Sequence, residues 1–398
     1  MPKVNSEILK WARETAGLTL EEAATKINLQ QARGISASDR LAALENGENE
    51  PTRSLLTRMA KQYRRPLLAF YMSAPPRKGD RGQDFRTLPE DHSDIDEALL
   101  DVLIRDVKAR QGMVRAMLED DEDTEPLSFV GSAKISQGVS VVLSSIRDAI
   151  QIDINEFHTK SSASEAFSLL REKVEHAGIF VLLIGNLGSY HTAIDLETFR
   201  GFALADDIAP FVIINDQDAH SAWSFTLLHE LVHIWLGQTG VSGLRAEKSI
   251  EKFCNDIASE FLLPTTEIKQ LNVNKKTDTQ LAQNRIAEFA LAKNLSASMV
   301  AYKLYRTGII DFKKWKFLSQ NFRRKWIEQR NDSRLIARAE KRNLPVYYPS
   351  HRRSVGKALI ELVRSMLHSG EITTLKAGKI LGVKAQNVQH LIETGRLV

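Results

Sequence analysis

Residues 229–233 read His-Glu-Leu-Val-His and lie inside a strongly apolar segment, which makes them the most constraining feature of the chain. Two histidines four residues apart project from the same face of a helix, so His229 and His233 can bind one divalent ion. Glu230 then lies beside that ion, within reach of a water molecule on it. The spacing predicts a helix that carries a hydrolytic zinc site, with Glu230 as the catalytic residue.

The polar side chains between Ser224 and Leu236 fall on one stripe of this helix. At spacing i, i+3, i+4 and i+7 they are Thr226, His229, Glu230 and His233. A stripe facing solvent would carry lysine, arginine or several acids, so this one is predicted to line an internal cleft. The alternative is that both histidines are hydrogen-bonded core residues. Ser221 is expected to cap the start of the helix, and Gly237 to end it.

A catalytic zinc ion takes three protein ligands and keeps one position for water, so a third donor is expected downstream. Residues 251–264 predict a helix ended by Pro264, with Glu251 on the stripe that faces the metal. Two alternative third ligands are Glu247, one turn earlier on the same face, and Glu260, which lies off the stripe.

The same predicted helix carries two more residues near the metal. Asn255 lies one turn after Glu251 and could orient a ligand histidine through a hydrogen bond. Cys254 is the single cysteine of the chain, which excludes an internal disulfide. We interpret Cys254 as a small core residue, with a thiolate ligand as the alternative.

Residues 199–237 and 251–264 together resemble the ImmA/IrrE family of zinc metallopeptidases. In that family a strand ending in Asn precedes a Phe-Thr-x-x-His-Glu-x-x-His helix, and a Glu-x-x-Ala-Asn-x-Phe-Ala-x-x-Leu-Leu-x-Pro segment follows. Cys254 stands where the family has alanine, and Ile257 where it has phenylalanine. Both changes are apolar and modest in size, so they affect packing rather than metal binding.

The resemblance implies a function and the residues that perform it. One Zn²⁺ ion would be held by His229, His233 and Glu251, with Glu230 as the general base and Asn255 in the second motif. The expected substrate is a regulatory protein, a repressor or antitoxin encoded nearby. A second reading is a DNA-binding regulator or antitoxin-like protein whose zinc domain senses or binds a partner. A third, a scaffold with a vestigial site, conflicts with the intact Glu230.

Peptide hydrolysis also needs a donor for the oxyanion and a place for the substrate. Four residues are candidate oxyanion donors: Tyr190, His191, Arg200 and His220. The strand predicted at 210–215 is expected to bind an extended substrate along its edge. Residues 83–89 are expected to form a structural linker, with an inhibitory strap over the cleft as the alternative.

The predicted fold class is α+β and mostly helical, with a zincin-like catalytic domain built on a small sheet. The predicted domains are a helix-turn-helix domain at 1–75, an acidic linker and helix at 76–125, a zinc metallopeptidase domain at 126–312, and a basic helical C-terminal region at 313–398 with a possible second helix-turn-helix. The helix-turn-helix domain at 1–75 resembles the repressor-type domain that longer family members carry.

Duplex DNA is a possible partner of the N-terminal region. Helices are predicted there at 6–16, 20–27 and 38–45, and the third would occupy the recognition position. That helix offers Arg40 and little else that reads bases. A protein-interaction role is the alternative.

The C-terminal region is a second candidate for DNA binding. Two short helices are predicted at 373–381 and 385–393, joined by a turn that contains glycine. Four residues there are better suited to reading bases: Lys384, Gln386, Asn387 and Gln389. The alternative is a small helical cap on the catalytic domain.

Charge is distributed unevenly, although the formal net charge is only +4. Residues 80–125 hold 15 acids and 6 bases, whereas residues 311–353 hold 13 bases and 4 acids. Solvation explains either run, and docking between them or an anionic partner for the basic run is the alternative.

The first residues lack the apolar region of a signal peptide, and no apolar run approaches the ~20 residues of a bilayer span. We therefore expect a cytoplasmic protein without a membrane partner.

Overall fold

The computed structural model describes residues 4–32, 34–75, 94–121, 124–189, 192–241, 248–339 and 347–393. The chain divides into two compact units, one made of Met1–Val107 with Asn186–Thr198 and the other of Lys108–Gly185 with Phe199–Val398. Most described residues are helical and one small sheet is present, which confirms the α+β prediction. The domain boundaries given above stay predictions.

Four helices form the N-terminal part of the first unit: α1 (Ser6–Glu14), α2 (Leu20–Lys26), α3 (Ala37–Glu45) and α4 (Arg53–Gln62). A 3₁₀ helix follows at Leu67–Tyr71. Each α-helix begins at a residue whose side chain accepts a hydrogen bond from the first turn: Asn5, Thr19, Ser36 and Thr52. The helices predicted here from the sequence therefore form, while their helix-turn-helix assignment stays a prediction.

The core of these four helices is apolar and contains one buried ion pair. Its fully buried side chains include Ile8, Leu9, Leu41, Leu56, Met59 and Phe70. Arg13 on α1 donates from Nε and Nη2 to the two carboxylate oxygens of Glu45 on α3, each at 2.8 Å. This paired geometry fixes α1 against α3 in one orientation.

A long helix, α5 (Asp94–Glu119), crosses the boundary between the units in the sequence. The second unit continues with α6 (Val139–Ile150), α7 (Ile154–Thr159), α8 (Ala163–His176), β1 (Phe180–Leu183), β2 (Gly201–Leu204), β3 (Phe211–Ile214), α9 (His220–Trp235), β4 (Gly240–Val241) and α10 (Lys248–Leu262). It ends with α11 (Thr265–Ile268), α12 (Thr279–Ala292), α13 (Ala297–Arg306), α14 (Phe312–Ala339), α15 (Tyr347–Val355), α16 (Lys357–His368), α17 (Thr374–Leu381) and α18 (Val388–Glu393). Among the described helices, none combines the length and apolar character needed to cross a membrane.

The sheet has four strands in the order β1, β3, β2, β4. Strand β3 pairs in parallel with β1 and antiparallel with β2, and β2 pairs antiparallel with β4. Every residue of β1, β2 and β3 is buried, which suits their aromatic and branched side chains. The prediction that the strand at 210–215 offers a substrate an edge is wrong, because β3 is bonded on both sides.

Helix α9 is the central helix of the second unit. It contacts β2 and β3 on the sheet and packs against α8 and α10. Its last residue, Trp235, stacks on Phe129 and donates a hydrogen bond from Nε1 to Ser145. The helix begins at His220 with no side-chain cap, so the prediction that Ser221 caps it is wrong. Gly237, with φ of +66°, follows the last turn as the sequence predicts.

The C-terminal helices are built onto the same unit, since α15 contacts β1 and α16 contacts α8. A buried ion pair on α8 makes the connection, with Arg171 Nε 2.8 Å from Glu175 Oε1. The other oxygen of Glu175 accepts from the backbone N–H groups of Lys357 and Ala358, each at 3.1 Å. Glu175 thereby accepts from N–H groups at the start of α16 that have no acceptor within the helix.

Candidate metal centre

The two histidines of α9 meet one turn apart on the face that packs against α10. Their Nε2 atoms are 3.3 Å apart, and both side chains are buried. The spacing of four residues accounts for this convergence, because it places both rings on one side of the helix.

Glu251, in the first turn of α10, completes a cluster with these rings. Its Oε2 atom is 3.1 Å from Nε2 of His229, and its Oε1 atom is 3.5 Å from Nε2 of His233. Helix α10 begins three residues before Glu251, so the carboxylate points from a regular turn rather than from a loop. The structure brings together the three residues that the sequence named as ligands.

Each histidine is oriented by an amide oxygen on the side away from the cluster. Nδ1 of His229 donates to Oδ1 of Asn255 at 3.0 Å, and Nδ1 of His233 donates to Oε1 of Gln238 at 3.1 Å. A proton held on Nδ1 leaves the Nε2 lone pair for a metal. Asn255 was named from the sequence, whereas Gln238 was missed, because it lies beyond the end of α9 and helical spacing does not reach it.

This donor set fits a divalent metal ion. Zinc–nitrogen bonds of ~2.0–2.1 Å in a tetrahedron place two nitrogens roughly 3.3 Å apart, the separation that His229 and His233 have. The carboxylate of Glu251 adds an anionic oxygen on the same side. Two imidazoles and one carboxylate match the ligands that catalytic zinc uses in known hydrolases.

Cys254 also reaches the cluster. The ligand atoms of Cys254, His229 and His233 lie within 4.8 Å of one another, and the thiol is close enough to His233 to affect its pKa. The side chain is fully buried. The structure is consistent with both interpretations of Cys254, as a core residue and as a thiolate ligand, because the side chain lies in the core and faces the histidines.

Mutual contacts shift the pKa values of the clustered groups. Burial lowers the pKa of His233, but hydrogen bonds to Cys254 and Glu251 outweigh burial and raise it well above its ordinary value. Burial raises the pKa of Glu251, yet hydrogen bonds from His229 and His233 hold it at about 2. Burial raises the pKa of the Cys254 thiol. Glu251 is therefore ionised at neutral pH, the state in which a carboxylate binds a metal.

Glu230 lies between the two histidines in sequence and faces strand β2. A Cβ atom added to Gly201 would lie 3.1 Å from Oε1 of Glu230 and 2.6 Å from Cγ2 of Thr226. Only glycine leaves room for this close approach. Gly201 is thus a second residue that the sequence analysis missed, and its signal was a glycine at the start of an otherwise apolar strand.

The other named residues have different surroundings. Glu260 pairs with Lys303 and accepts a hydrogen bond from Thr265 at 2.7 Å, so its carboxylate is engaged by other partners.

Arg200 donates to Asp218 at 2.7 Å and is half exposed. The His220 ring lies 4.3 Å from that of Trp223, and burial lowers its pKa. Three named residues, Tyr190, His191 and Glu247, and the strap at 83–89 lie outside the described residues.

The residues named for base reading are found in both units. The guanidinium of Arg40 donates a hydrogen bond to the backbone carbonyl of Gln30, a residue of the same unit. Part of its hydrogen-bonding capacity is therefore already used. In the C-terminal part, three of the named side chains are exposed and one is half-buried: Lys384, Gln386, Gln389 and Asn387. Gln389 donates to Glu393 on the same short helix.

Comparison with known proteins adds one match. Residues 176–305 match the peptidase family M78 model, which is described as the IrrE N-terminal-like domain. No curated protein and no solved structure matches the chain significantly. The matched segment runs from the end of α8 through α13 and includes the whole sheet and both helices of the metal centre. The match supports the resemblance to the ImmA/IrrE family and a function of the metallopeptidase type for this segment.

Proposed function

We propose that this protein is a zinc-dependent endopeptidase that hydrolyses a peptide bond in a regulatory protein such as a repressor or antitoxin. The observation that carries the proposal is the convergence of His229, His233 and Glu251 around one point, with Glu230 buried on the same helix between the two histidines in sequence. The family match of residues 176–305 supports the peptidase class.

His229, His233 and Glu251 would hold the metal ion. When bound, Zn²⁺ acts as a Lewis acid that makes a neighbouring water acidic and polarises a peptide carbonyl. Asn255 and Gln238 keep the imidazoles in the tautomer that this binding requires, through the hydrogen bonds to Nδ1. The protein therefore supplies both the ligands and their orientation.

Glu230 moves the proton. Its carboxylate accepts a proton from the attacking water while the water oxygen forms a bond to the peptide carbonyl carbon. It then gives that proton to the amide nitrogen, the C–N bond breaks, and the products are a free carboxyl group and a free amine. The burial of Glu230 keeps other water away from this transfer.

A pair of variants tests the proposal. Glu230→Gln removes the base and keeps the ligands, so bound zinc is expected to remain while the cleavage rate falls by about 10²–10⁴-fold. His229→Ala is expected to lose both zinc and cleavage. Mass spectrometry of new N-termini in proteins encoded next to the gene measures cleavage, and metal analysis measures zinc. If Glu230→Gln produces the same termini at the same rate, the proposal is wrong.

A second candidate function is a DNA-binding regulator whose zinc domain senses or binds a partner. The observation that favours it is the exposed polar set at 384–389 in the C-terminal helices. A titration of duplex DNA at increasing salt tests this function, since displacement of counterions gives a steep loss of affinity. Substitution of Lys384 and Gln386 by alanine should then weaken binding, with Lys376→Ala as the control.

A further inference from the structure

Cys254 lies on the face of α10 that already carries the other contacts to the metal centre. Glu251, Cys254 and Asn255 occur at spacing i, i+3 and i+4, so they share one side of the helix. Glu251 approaches both imidazoles, and Asn255 accepts a hydrogen bond from His229. Cys254 therefore faces the histidines between two residues that contact them.

The distances suit a thiolate ligand. A zinc ion with bonds of ~2.0–2.1 Å to nitrogen and ~2.3 Å to sulfur places those donors roughly 3.6 Å apart. The sulfur of Cys254 and the histidine nitrogens lie within 4.8 Å of one another before any ion draws them in. The largest of these separations therefore exceeds the ligand spacing by at most about 1.2 Å.

The donor count distinguishes two kinds of zinc site. Catalytic sites use three protein ligands and leave one position open, whereas structural sites are closed by four. His229, His233 and Glu251 supply three donors, and Cys254 adds a fourth on the same side. A chain with alanine at residue 254, as in the family pattern that this chain resembles, has no such fourth donor.

We propose that the Cys254 thiolate is a fourth protein ligand of the metal, so that the resting centre is closed and hydrolysis requires the thiolate to leave. This inference rests on the metal centre of the proposed function. It assigns Cys254 a role beyond packing, because the thiol faces the two histidines as well as the core.

Cobalt(II) tests this ligand in the 398-residue protein without any measurement of activity. Co²⁺ replaces Zn²⁺ in tetrahedral sites and absorbs visible light, and a thiolate ligand adds a charge-transfer band in the near ultraviolet. The chain has one cysteine, so such a band can arise only from Cys254. A band intensity per protein that does not change on dilution excludes a thiolate from a second molecule.

Three proteins give distinct expectations. The wild type is expected to show both absorptions, and Cys254→Ala to keep the visible absorption and lose the near-ultraviolet band. His229→Ala should weaken both. Cys254→Ala is also expected to bind zinc about tenfold more weakly, or about 1.4 kcal/mol, and to cleave substrate faster than the wild type, because its fourth position is always open.

The outcomes separate this inference from the proposed function. Visible absorption without the near-ultraviolet band in the wild type would show that Cys254 is only a core residue, and the proposed peptidase would stand. If Co²⁺ produces neither absorption in the wild type, the metal centre itself is wrong and both proposals fail.

Discussion

Gly201 at the start of β2 leaves the space that the carboxylate of Glu230 occupies on α9. A Cβ atom at residue 201 would lie 3.1 Å from Oε1 of Glu230 and closer still to Thr226, at 2.6 Å from Cγ2. Thr226 is branched at Cβ and cannot easily rotate away, so any side chain at residue 201 must displace the helix or the strand. The position of the proposed base thus depends on a strand residue without a side chain.

Gly201→Ala is therefore expected to lower the cleavage rate by about 100-fold while zinc stays bound, because a displacement of ~1 Å costs about that much. Cleavage kinetics and metal analysis on the same preparation check both parts. Gly112→Ala is the matched control, since Gly112 lies on the exposed side of α5 with no atom near its added Cβ. Equal rates for Gly201→Ala and the control would show that the position of Glu230 does not depend on a glycine at residue 201.

Asn255 and Gln238 are expected to set the affinity for the metal. Replacing either with alanine removes the acceptor for a histidine Nδ1–H and should weaken zinc binding by about 10–100-fold. Competition with a chelator of known affinity measures the change. Asn284→Ala, an exposed position on α12, is the control and should bind zinc as the wild type does. Unchanged affinity in both amide variants would contradict the proposed role of Asn255 and Gln238 in orienting the histidines.

The sequence predicted the parts of the site that lie within single helices. His229, Glu230 and His233 follow one helical repeat, and Glu251 and Asn255 follow another, so their faces could be read from spacing. The structure then showed that the two helices pack together. Residues that act from outside a repeat, such as Gln238, carry no such signal.

The strand order and the long-range packing could not be predicted from the sequence. The apolar run at 210–215 predicted a strand, but alternation and burial do not tell which neighbours it pairs with. The central place of β3 results from pairing with β1 and β2, which lie about 30 and 10 residues earlier in the chain. For the same reason, the contact of α16 with Glu175 could not be predicted.

Gly356→Ala is expected to destabilise the second unit strongly. Gly356 has φ of +89°, and an added Cβ would lie 2.3 Å from Oε1 of Glu175 and 2.4 Å from Nη2 of Arg171. Backbone strain of about 1–3 kcal/mol then adds to overpacking of about 1–3 kcal/mol. Gly370→Ala is the control, because Gly370 has φ of +79° and open space around it, so only the strain applies.

Chemical denaturation of both glycine variants measures the free energy of unfolding. The difference between them isolates the contact with Arg171 and Glu175. Equal losses for Gly356→Ala and Gly370→Ala would show that the start of α16 is not held against this ion pair.

His158 is expected to make stability depend on pH. Its Nε2 atom donates to the carbonyl of Leu262 at 2.8 Å, and burial lowers the pKa of its imidazole in the folded protein. The unfolded chain, with an ordinary histidine pKa of about 6.5, therefore binds the proton more readily. The stabilising contribution of neutral His158 is present above that pH and is lost as the pH falls below it.

The prediction is that His158→Gln lowers the free energy of unfolding of the zinc-loaded protein more at about pH 8 than at about pH 5, because protonation weakens only the wild type across this range. Urea denaturation of both proteins at a series of pH values measures this difference. Urea is suitable because it is uncharged and leaves ionic strength constant. A cost of substitution that is the same at every pH would mean that His158 stabilises the fold only through its hydrogen bond, and that its protonation does not differ between the folded and unfolded states.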